Sequence, residues 1–433
     1  MLEFACHVAI IGAGLGGLAA GLGILKAGHR VTIIERAPTL GEIGAGIQVP
    51  PNTTRILHRW SILDNLTSLS DRPRNSILRS YRDGNILSSL DLRKCSETLY
   101  GHPYLHVHRA DYHNVLIEEF RRLGGSVKTN SEVIGIDFVK PMIQIRGQHD
   151  VYADLVIGAD GVKSTTRELF LGHSDPPRFS GDMAYRCVVR EEDIRQHPHL
   201  VGFLESTSIN CWVGPGQHVM MYKMREGDLL NIVIACTDIL PESTNMASAD
   251  VQELSDAVKG WDSNLAELVA LASRGTKGRL MRVDEMESWI HPSGKFALLG
   301  DACHATIPYL AQGAAQAIED GAVLGHLFEA VTHPDQLSDL LIMYEALRKP
   351  RTSKIVREST WSRRILHLPD GPIQIERDRQ LLEEKPFDGF AHAWADPVLQ
   401  DYLFSYDARL EVQKALDRYK SGKFPLTTGA WKL

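Results

Sequence analysis

Cysteine is scarce. The 433 residues hold six, at positions 6, 95, 187, 211, 236 and 303, and no two form a Cys-x-x-Cys pair. That spacing excludes a disulfide scaffold, a zinc ribbon and a dithiol redox motif, and it fits a reducing cytoplasm. Basic residues are in deficit, with 47 Lys and Arg against 54 Asp and Glu and a formal charge of −7. A protein gripping nucleic acid through its phosphates needs the opposite balance. The histidines show no His-Glu-x-x-His spacing, so no metal is expected. Repeats of roughly 20 to 50 residues and low-complexity segments are also missing, which removes solenoids and propellers.

Charge is missing from one long stretch. From Val8 to Leu25, 18 consecutive residues carry none, the length of a candidate membrane helix. A basic segment before it and a small-residue cleavage site after it are both lacking, so it does not read as a signal peptide. Six of its residues are glycines (12, 14, 16, 17, 21 and 23), too many for an apolar anchor, and no membrane partner is expected.

A nucleotide cradle explains them. His7-Val8-Ala9-Ile10-Ile11 reads as a strand, Gly12-Ala13-Gly14-Leu15-Gly16-Gly17 is a GxGxxG turn, and Leu18 to Ala27 reads as a helix stopped at Gly28. A second strand, Arg30 to Ile34, runs into Glu35. Gly12 permits the tight turn, Gly14 admits a pyrophosphate, and Gly17 lets helix and strand pack closely. The helix start offers free N–H groups to phosphate, and Glu35 stands where an acid accepts from an adenosine ribose. This pattern leaves NAD, NADP and FAD all open.

Further on, Asn52–Leu63 reads as a helix, Ser76–Tyr81 and Ile86–Leu90 as strands, and Tyr112–Leu123 as an amphipathic helix ended by two glycines. Alternation at Ile209–Val213, Val219–Met224 and Leu229–Ala235 predicts a mostly antiparallel sheet, interrupted by a helix near Ala247–Leu271. An apolar strand returns at Phe296–Leu299, followed by the helix Ala314–Val331. The expected architecture is α/β: a split Rossmann-like nucleotide-binding fold in residues 1–175 and 291–335, an inserted mostly antiparallel sheet in 176–290 with segments from about 76–105, and a helical C-terminal region in 336–433.

Three further segments carry a resemblance: Leu105-His106-Val107-His108-Arg109-Ala110-Asp111; Asp154 to Ser164 around Gly158-Ala159-Asp160-Gly161, with Arg167 nearby; and Leu299-Gly300-Asp301-Ala302-Cys303-His304, continuing to Gln312-Gly313-Ala314 and Glu319-Asp320. With Gly12, Gly14, Gly17 and Glu35-Arg36, the chain resembles the class A FAD-dependent aromatic monooxygenases of the para-hydroxybenzoate hydroxylase type. Gly44 to Asn52 and the tail Leu399 to Ala408 look like the salicylate-hydroxylase-like branch, including its fungal members.

The resemblance implies FAD, with NADH or NADPH as a transient electron donor. The absence of a second GxGxxG suits a donor that binds, reduces the flavin and leaves. It implies attack of a flavin C4a-hydroperoxide on a phenolic or salicylate-like ring, with a small aromatic and O₂ as partners. The same chemistry on a larger phenol or heteroaromatic in a secondary-metabolite pathway, or a flavin-dependent reductase or oxidase, stays open. So does the oligomeric state, monomer or homodimer. Implied FAD contacts are Gly12, Gly14, Gly17, Glu35, Arg36, Gly46, Gln48, Arg109, Asp160, Gly161, Asp301, Gly313 and Ala314, with the Asp160-Gly161 pair also serving the nicotinamide nucleotide. Substrate-side candidates are Arg186 to hold a phenolate or carboxylate, Tyr222 to hydrogen-bond a ring oxygen, and His218 as base. His304 is assigned no role. Lys223 stands where the branch usually has proline.

Overall fold

The computed structural model describes residues 4–41, 46–224 and 228–425. Gly44 and Ala45, part of the branch-defining segment, lie outside them.

Short apolar strands form a five-stranded parallel sheet in the order Phe296–Leu298, Leu155–Gly158, His7–Ile11, Arg30–Ile34, Ser126–Lys128. Parallel strands need crossover connections and cover from helices, which is why they read as apolar runs without alternation. The chain leaves this sheet at Gly158 and rejoins it at Phe296, so the nucleotide fold is split by what lies between.

That insertion supplies most of an eight-stranded sheet, ordered Met246–Ala249, Gly275–Arg282, Arg178–Arg190, Leu229–Thr237, Gln217–Met224, Ser208–Gly214, Asn75–Ser80, Ile86–Asp91. All its neighbours are antiparallel except the pair Ser208–Gly214 and Asn75–Ser80. One face packs Tyr185, Val189, Met221 and Ile232 with Leu254, Leu265 and Leu268 of two short helices. The other turns Ala184, Val213 and Ala235 toward Tyr309, Leu366 and Phe390. Side chains alternate between the faces, so Arg186, Met220, Tyr222 and Asn231 share the second face with Ala184.

Two local expectations change. The helix expected near Ala247–Leu271 begins as the edge strand Met246–Ala249, and two helices follow, Val251–Ala257 and Ser263–Ala270. Asp250 and Asp262 cap them by accepting from Glu253 N and Asn264 N, a stop-and-restart signal inside one apolar pattern. Within 76–105, Leu92–Leu99 is a helix capped by Asp91. Leu105–His108 pairs instead with Gly46–Val49 and Ser70–Asp71 in a small antiparallel sheet. The C-terminal region is helical, led by Leu337–Leu366 and broken before Pro372.

The glycine-rich helix Leu15–Lys26 runs alongside Gly313–Phe328, a helix from the far side of the insertion. A Cβ added at Gly23 would strike Gly321 O and lie 3.1 Å from Gly325 Cα; one at Gly325 would lie 2.6 Å from Gly23 Cα. At Gly16 it would lie 3.1 Å from Ala317 Cβ, and at Gly21 2.6 Å from the Phe120 ring. The register advances the same way on both helices, so they lie parallel with both N-termini at one end.

Behind them sits a buried charge network. Glu319, Asp320 and Arg348 are fully buried and Arg351 nearly so. Arg348 pairs with Glu319 Oε2 and Asp320 Oδ1, both at 2.6 Å, and Arg351 with Glu319 Oε2 at 2.7 Å. Asp320 Oδ2 accepts from Gly300 N at 3.0 Å and His304 Nε2 at 2.7 Å. Burial alone would raise both carboxyls, but the arginines, joined by His304 at Asp320, outweigh it and hold both below the ordinary carboxylate range. His304 is thereby a structural residue that fixes the Gly300–Asp301 turn.

Replacing Gly325 with Leu forces the two helices apart, because backbone cannot rotate out of the way. We expect a loss of about 1–3 kcal/mol or more, read by chemical denaturation. Unchanged stability would mean that the helices do not touch in solution.

Candidate functional site

The site begins where the strand His7–Ile11 ends. Gly12 sits at φ +107°, and a Cβ there would collide with Ala159 O. A Cβ at Gly17 would collide with Gly12 O, whereas at Gly14 nothing lies within 4 Å. Two glycines thus serve the fold, and the third faces open space. The peptide between them is pinned on both sides: Ala13 N donates to Glu35 Oε2 at 2.8 Å, and His113 Nε2 donates to Ala13 O at 2.7 Å. Glu35 Oε1 accepts from Ala37 N at 2.8 Å, so each carboxylate oxygen keeps lone-pair capacity for a ribose hydroxyl.

From this turn a crevice opens along the C-terminal ends of the parallel strands. Its outer part, about 460 Å³, is lined by Gly12, Gly14, Glu35, Arg36, Asp160, Gly161 and Lys163, with the Arg146–Glu132 ion pair at its rim. Its inner part, about 120 Å³, is lined by Gly14, Arg109, Gly161, Asp301, Gly313 and Ala314. Both helices of the close-packed pair end here, so two sets of unbonded first-turn N–H groups and two positive dipole ends converge. Asp301 borders the crevice, and desolvation by surrounding protein raises its carboxyl, opposed by His304 and Arg109.

Asp160, which lines the crevice, also organises its own loop. Its Oδ1 accepts from Ser164 Oγ at 2.5 Å and Thr166 Oγ1 at 2.6 Å, and its Oδ2 from Thr166 N at 2.9 Å. The side chain therefore organises its own loop, leaving the open backbone at Gly161, φ +80°, to face a ligand. Gln48 is likewise engaged, accepting from Tyr104 OH at 2.6 Å. Gly46 N donates to Asn231 Oδ1 at 3.3 Å. A Cβ on Gly46 would press on Tyr222, 2.6 Å from its ring and 2.8 Å from its hydroxyl, so glycine lets the small sheet lie against the large one.

Arg186 and Tyr222 come together. The guanidinium is mostly buried, which lowers its pKa; the Tyr222 hydroxyl opposes that shift, and Arg109 adds to it. Burial pushes the Tyr222 phenol well up, so it stays protonated. Neither side chain has a hydrogen-bond or ion-pair partner among the described residues. His218 does not join them. It lies four residues from Tyr222 on the same strand, about 13 Å away at 3.3 Å per residue. There its Nδ1 is 2.8 Å from His367 Nε2, and its ring packs 5.2 Å from Tyr309. Burial and His367 lower its pKa to about 3, making it a poor base at neutral pH, contrary to expectation.

His106, Asn231 and Tyr104 were not singled out by sequence reasoning. His106 stacks on Tyr222 with centroids 4.3 Å apart, and Asn231 stands opposite Tyr222 in register. Only the apolar–polar alternation of Leu105 to His108 hints at His106, and nothing local marks Asn231.

The donor set fits FAD: an open backbone at Gly14, converging N–H groups, Glu35 at the outer end, and an acid at Asp301 beside Gly313. Comparison with known proteins agrees. A family described as FAD binding domain matches residues 5–359. The chain is 37% identical to the FAD-dependent monooxygenase OpS4 of Beauveria bassiana (strain ARSEF 2860), over 96% of this chain and 98% of that protein. It is 34% identical to the 3-amino-4-hydroxybenzoate 2-monooxygenase PtnB3 of Streptomyces platensis, over 89% and 94%. A salicylate hydroxylase substrate complex superposes with a TM-score of 0.78 at 22% identity, covering 94% of this chain and 97% of that one, which speaks to the fold.

Two outcomes are expected. Gly14→Val fills the space meant for ligand: stability without flavin should stay within about 0.5 kcal/mol of the parent while FAD retention is lost. Gly17→Ala should instead cost about 1–3 kcal/mol. Equal effects in melts of flavin-free protein would refute the distinction. Secondly, burial holds His106 and His218 at about 3 and His392 at about 4, and burial with Arg363 holds His367 at about 3, against 6.5 for an open imidazole. Between those values the unfolded chain binds more protons. Stability should therefore fall as pH drops below about 6.5, by up to about 1.4 kcal/mol per pH unit for each histidine. Urea melts at pH 7.5 and pH 5 measure it, and equal midpoints would show that these rings ionise within the fold.

Proposed function

The chain belongs to the FAD-binding monooxygenases, and from that premise we propose that it hydroxylates a phenolic, salicylate-like ring using NADH or NADPH and O₂. Bound FAD supplies the redox chemistry, taking electrons from the nicotinamide and using O₂ to oxygenate the ring. The residues fitted to hold it are Gly12, Gly14 and Gly17 at the turn, Glu35 and Arg36 at the adenosine end, and Gly161 along the crevice. Arg109, Asp301, Gly313 and Ala314 would hold the inner end, with Gly46 and Gln48 in the strand beside it. In this reading 1–175 and 291–335 carry the cofactor, 176–290 the substrate sheet and 336–433 the helical cover.

What supports the substrate reading is Arg186, a mostly buried cation without a described ion-pair partner, beside Tyr222 and within electrostatic reach of Arg109. A desolvated arginine is costly unless an anion meets it, so it suits a carboxylate or phenolate oxygen. Tyr222, kept protonated, donates to an oxygen on the ring. Met220 and Val233 add apolar surface on the same face, which limits water near the reacting carbon. The likeness to a 3-amino-4-hydroxybenzoate 2-monooxygenase favours a second reading, the same chemistry on a more heavily substituted phenol. Among the described residues no helix is long and apolar enough to cross a membrane, and the reading places the enzyme in the cytoplasm.

Purified holoenzyme should oxidise NADH or NADPH faster when a phenol is added, and the product should gain oxygen. A broad phenol panel that never does both would sink the proposal. Arg186→Ala should keep FAD yet raise KM about 30-fold, the loss of about 2 kcal/mol expected when a buried charge partner is removed; unchanged KM would remove Arg186 from the site.

A further inference from the structure

Two buried polar atoms where the small sheet meets the large one have no partner among the described residues: His106 Nε2 and Asn231 Nδ2. Such atoms are rare in folded proteins, because each has given up its bonds to water without replacement. Two of their neighbours are satisfied in ways that exclude them. Gly46 N donates to Asn231 Oδ1, which fixes the amide orientation and leaves the NH₂ facing elsewhere. Gln48, opposite His106 in register, already accepts from Tyr104.

Both orphans flank Tyr222. His106 stacks on its ring, and Asn231 is its cross-strand partner. Asn231 is also a diagonal neighbour of Arg186, whose own strand partner is Val233. The lone nitrogen and the lone amide thus border the same unpaired phenol and guanidinium that the proposed function assigns to the substrate. Burial holds His106 neutral, at about 3, so one ring nitrogen is an acceptor and the other a donor.

We propose that His106 and Asn231 are specificity-determining residues that together bind a hydroxyl on the aromatic substrate, distinct from the anionic group held by Arg186 and from the ring oxygen that Tyr222 meets. A hydroxyl is the substituent that satisfies both at once. It accepts from Asn231 Nδ2–H and donates to His106 Nε2, and no covalent bond changes. The substrate is then a ring with at least two oxygen substituents besides the anionic group. This rests on the aromatic-hydroxylase reading and narrows its substrate class.

The test uses two variants that keep the scaffold. His106→Phe retains the ring on Tyr222 and removes the nitrogen. Asn231→Asp retains an acceptor for Gly46 N–H and removes the NH₂. Holoenzyme of each is titrated with salicylate and with its 2,3-, 2,4-, 2,5- and 2,6-dihydroxybenzoate counterparts, following flavin absorbance, NAD(P)H oxidation and thermal melting. The parent should bind one dihydroxy isomer at least about 10-fold more tightly than salicylate. That preference should shrink below about 3-fold in both variants, with FAD retained and the melting temperature of His106→Phe no lower than the parent's, because an unsatisfied polar atom has been replaced by an apolar one. A preference that survives both substitutions, or a parent that binds salicylate and all four isomers alike, overturns the proposal. A His106→Phe variant that melts lower with substrate preference intact also overturns it, marking a structural histidine. If no aromatic perturbs the flavin or stimulates NAD(P)H oxidation in the parent, the hydroxylase reading itself has failed, and this inference falls with it.

Discussion

Backbone contact between two helices from opposite sides of an inserted sheet sets the geometry on which the rest depends. Leu15–Lys26 and Gly313–Phe328 meet at Gly23, Gly321 and Gly325 with no side chain between them. Any residue larger than glycine at these points would move one helix by ångströms, and the crevice at their shared end would move with it. Because the helices run parallel, their N-termini converge on the same cleft. Unbonded N–H groups that cost free energy at an ordinary helix start become donors for an anionic ligand.

Polar groups hold that arrangement from behind. Two acids and two arginines balance inside the core, and further bonds from them reach Gly300, His304 and the carbonyls of Tyr402 and Leu403. The network therefore ties the turn bearing Asp301 to the C-terminal tail. Arg167 works similarly, donating to Ala302 O and Val162 O from a buried position. A cofactor spanning the cleft would touch elements drawn from several distant parts of the chain, and these bridges keep them in one frame.

On the substrate side the chemistry is less complete. Among the described residues Arg186 and Tyr222 make no hydrogen bond or ion pair, and His106 and Asn231 each leave one atom unpaired. Cores rarely tolerate such a concentration, whereas binding sites require it, because groups already satisfied by protein have nothing to offer a ligand. His218 shows the contrast. Close to these residues in sequence and on the same strand face, it is spent on His367 and Tyr309.

Much of the cofactor cradle was legible in the chain, because it is built by local geometry. A tight turn, a helix start and a strand-end acid lie within thirty or so residues, and each demands particular residue types at fixed spacing. The strands Arg30–Ile34 and Ile86–Asp91 were legible for the same reason, through apolar runs bounded by turns. By contrast, the apolar pattern near Ala247–Leu271 predicts helix from its start, and only pairing with Gly275–Arg282 makes Met246–Ala249 a strand. The surroundings of Tyr222 were the least legible part. The partnerships of Asn231, His106, Arg186 and His218 are made across strands and between sheets, and no spacing along the chain records which side chains end up facing one another. The sequence by itself determined where a dinucleotide is cradled and which family of chemistry follows. Only the tertiary structure decided which glycines are packed against backbone and which face open space, and which buried polar atoms are left without a partner, because both depend on contacts between residues far apart in the chain.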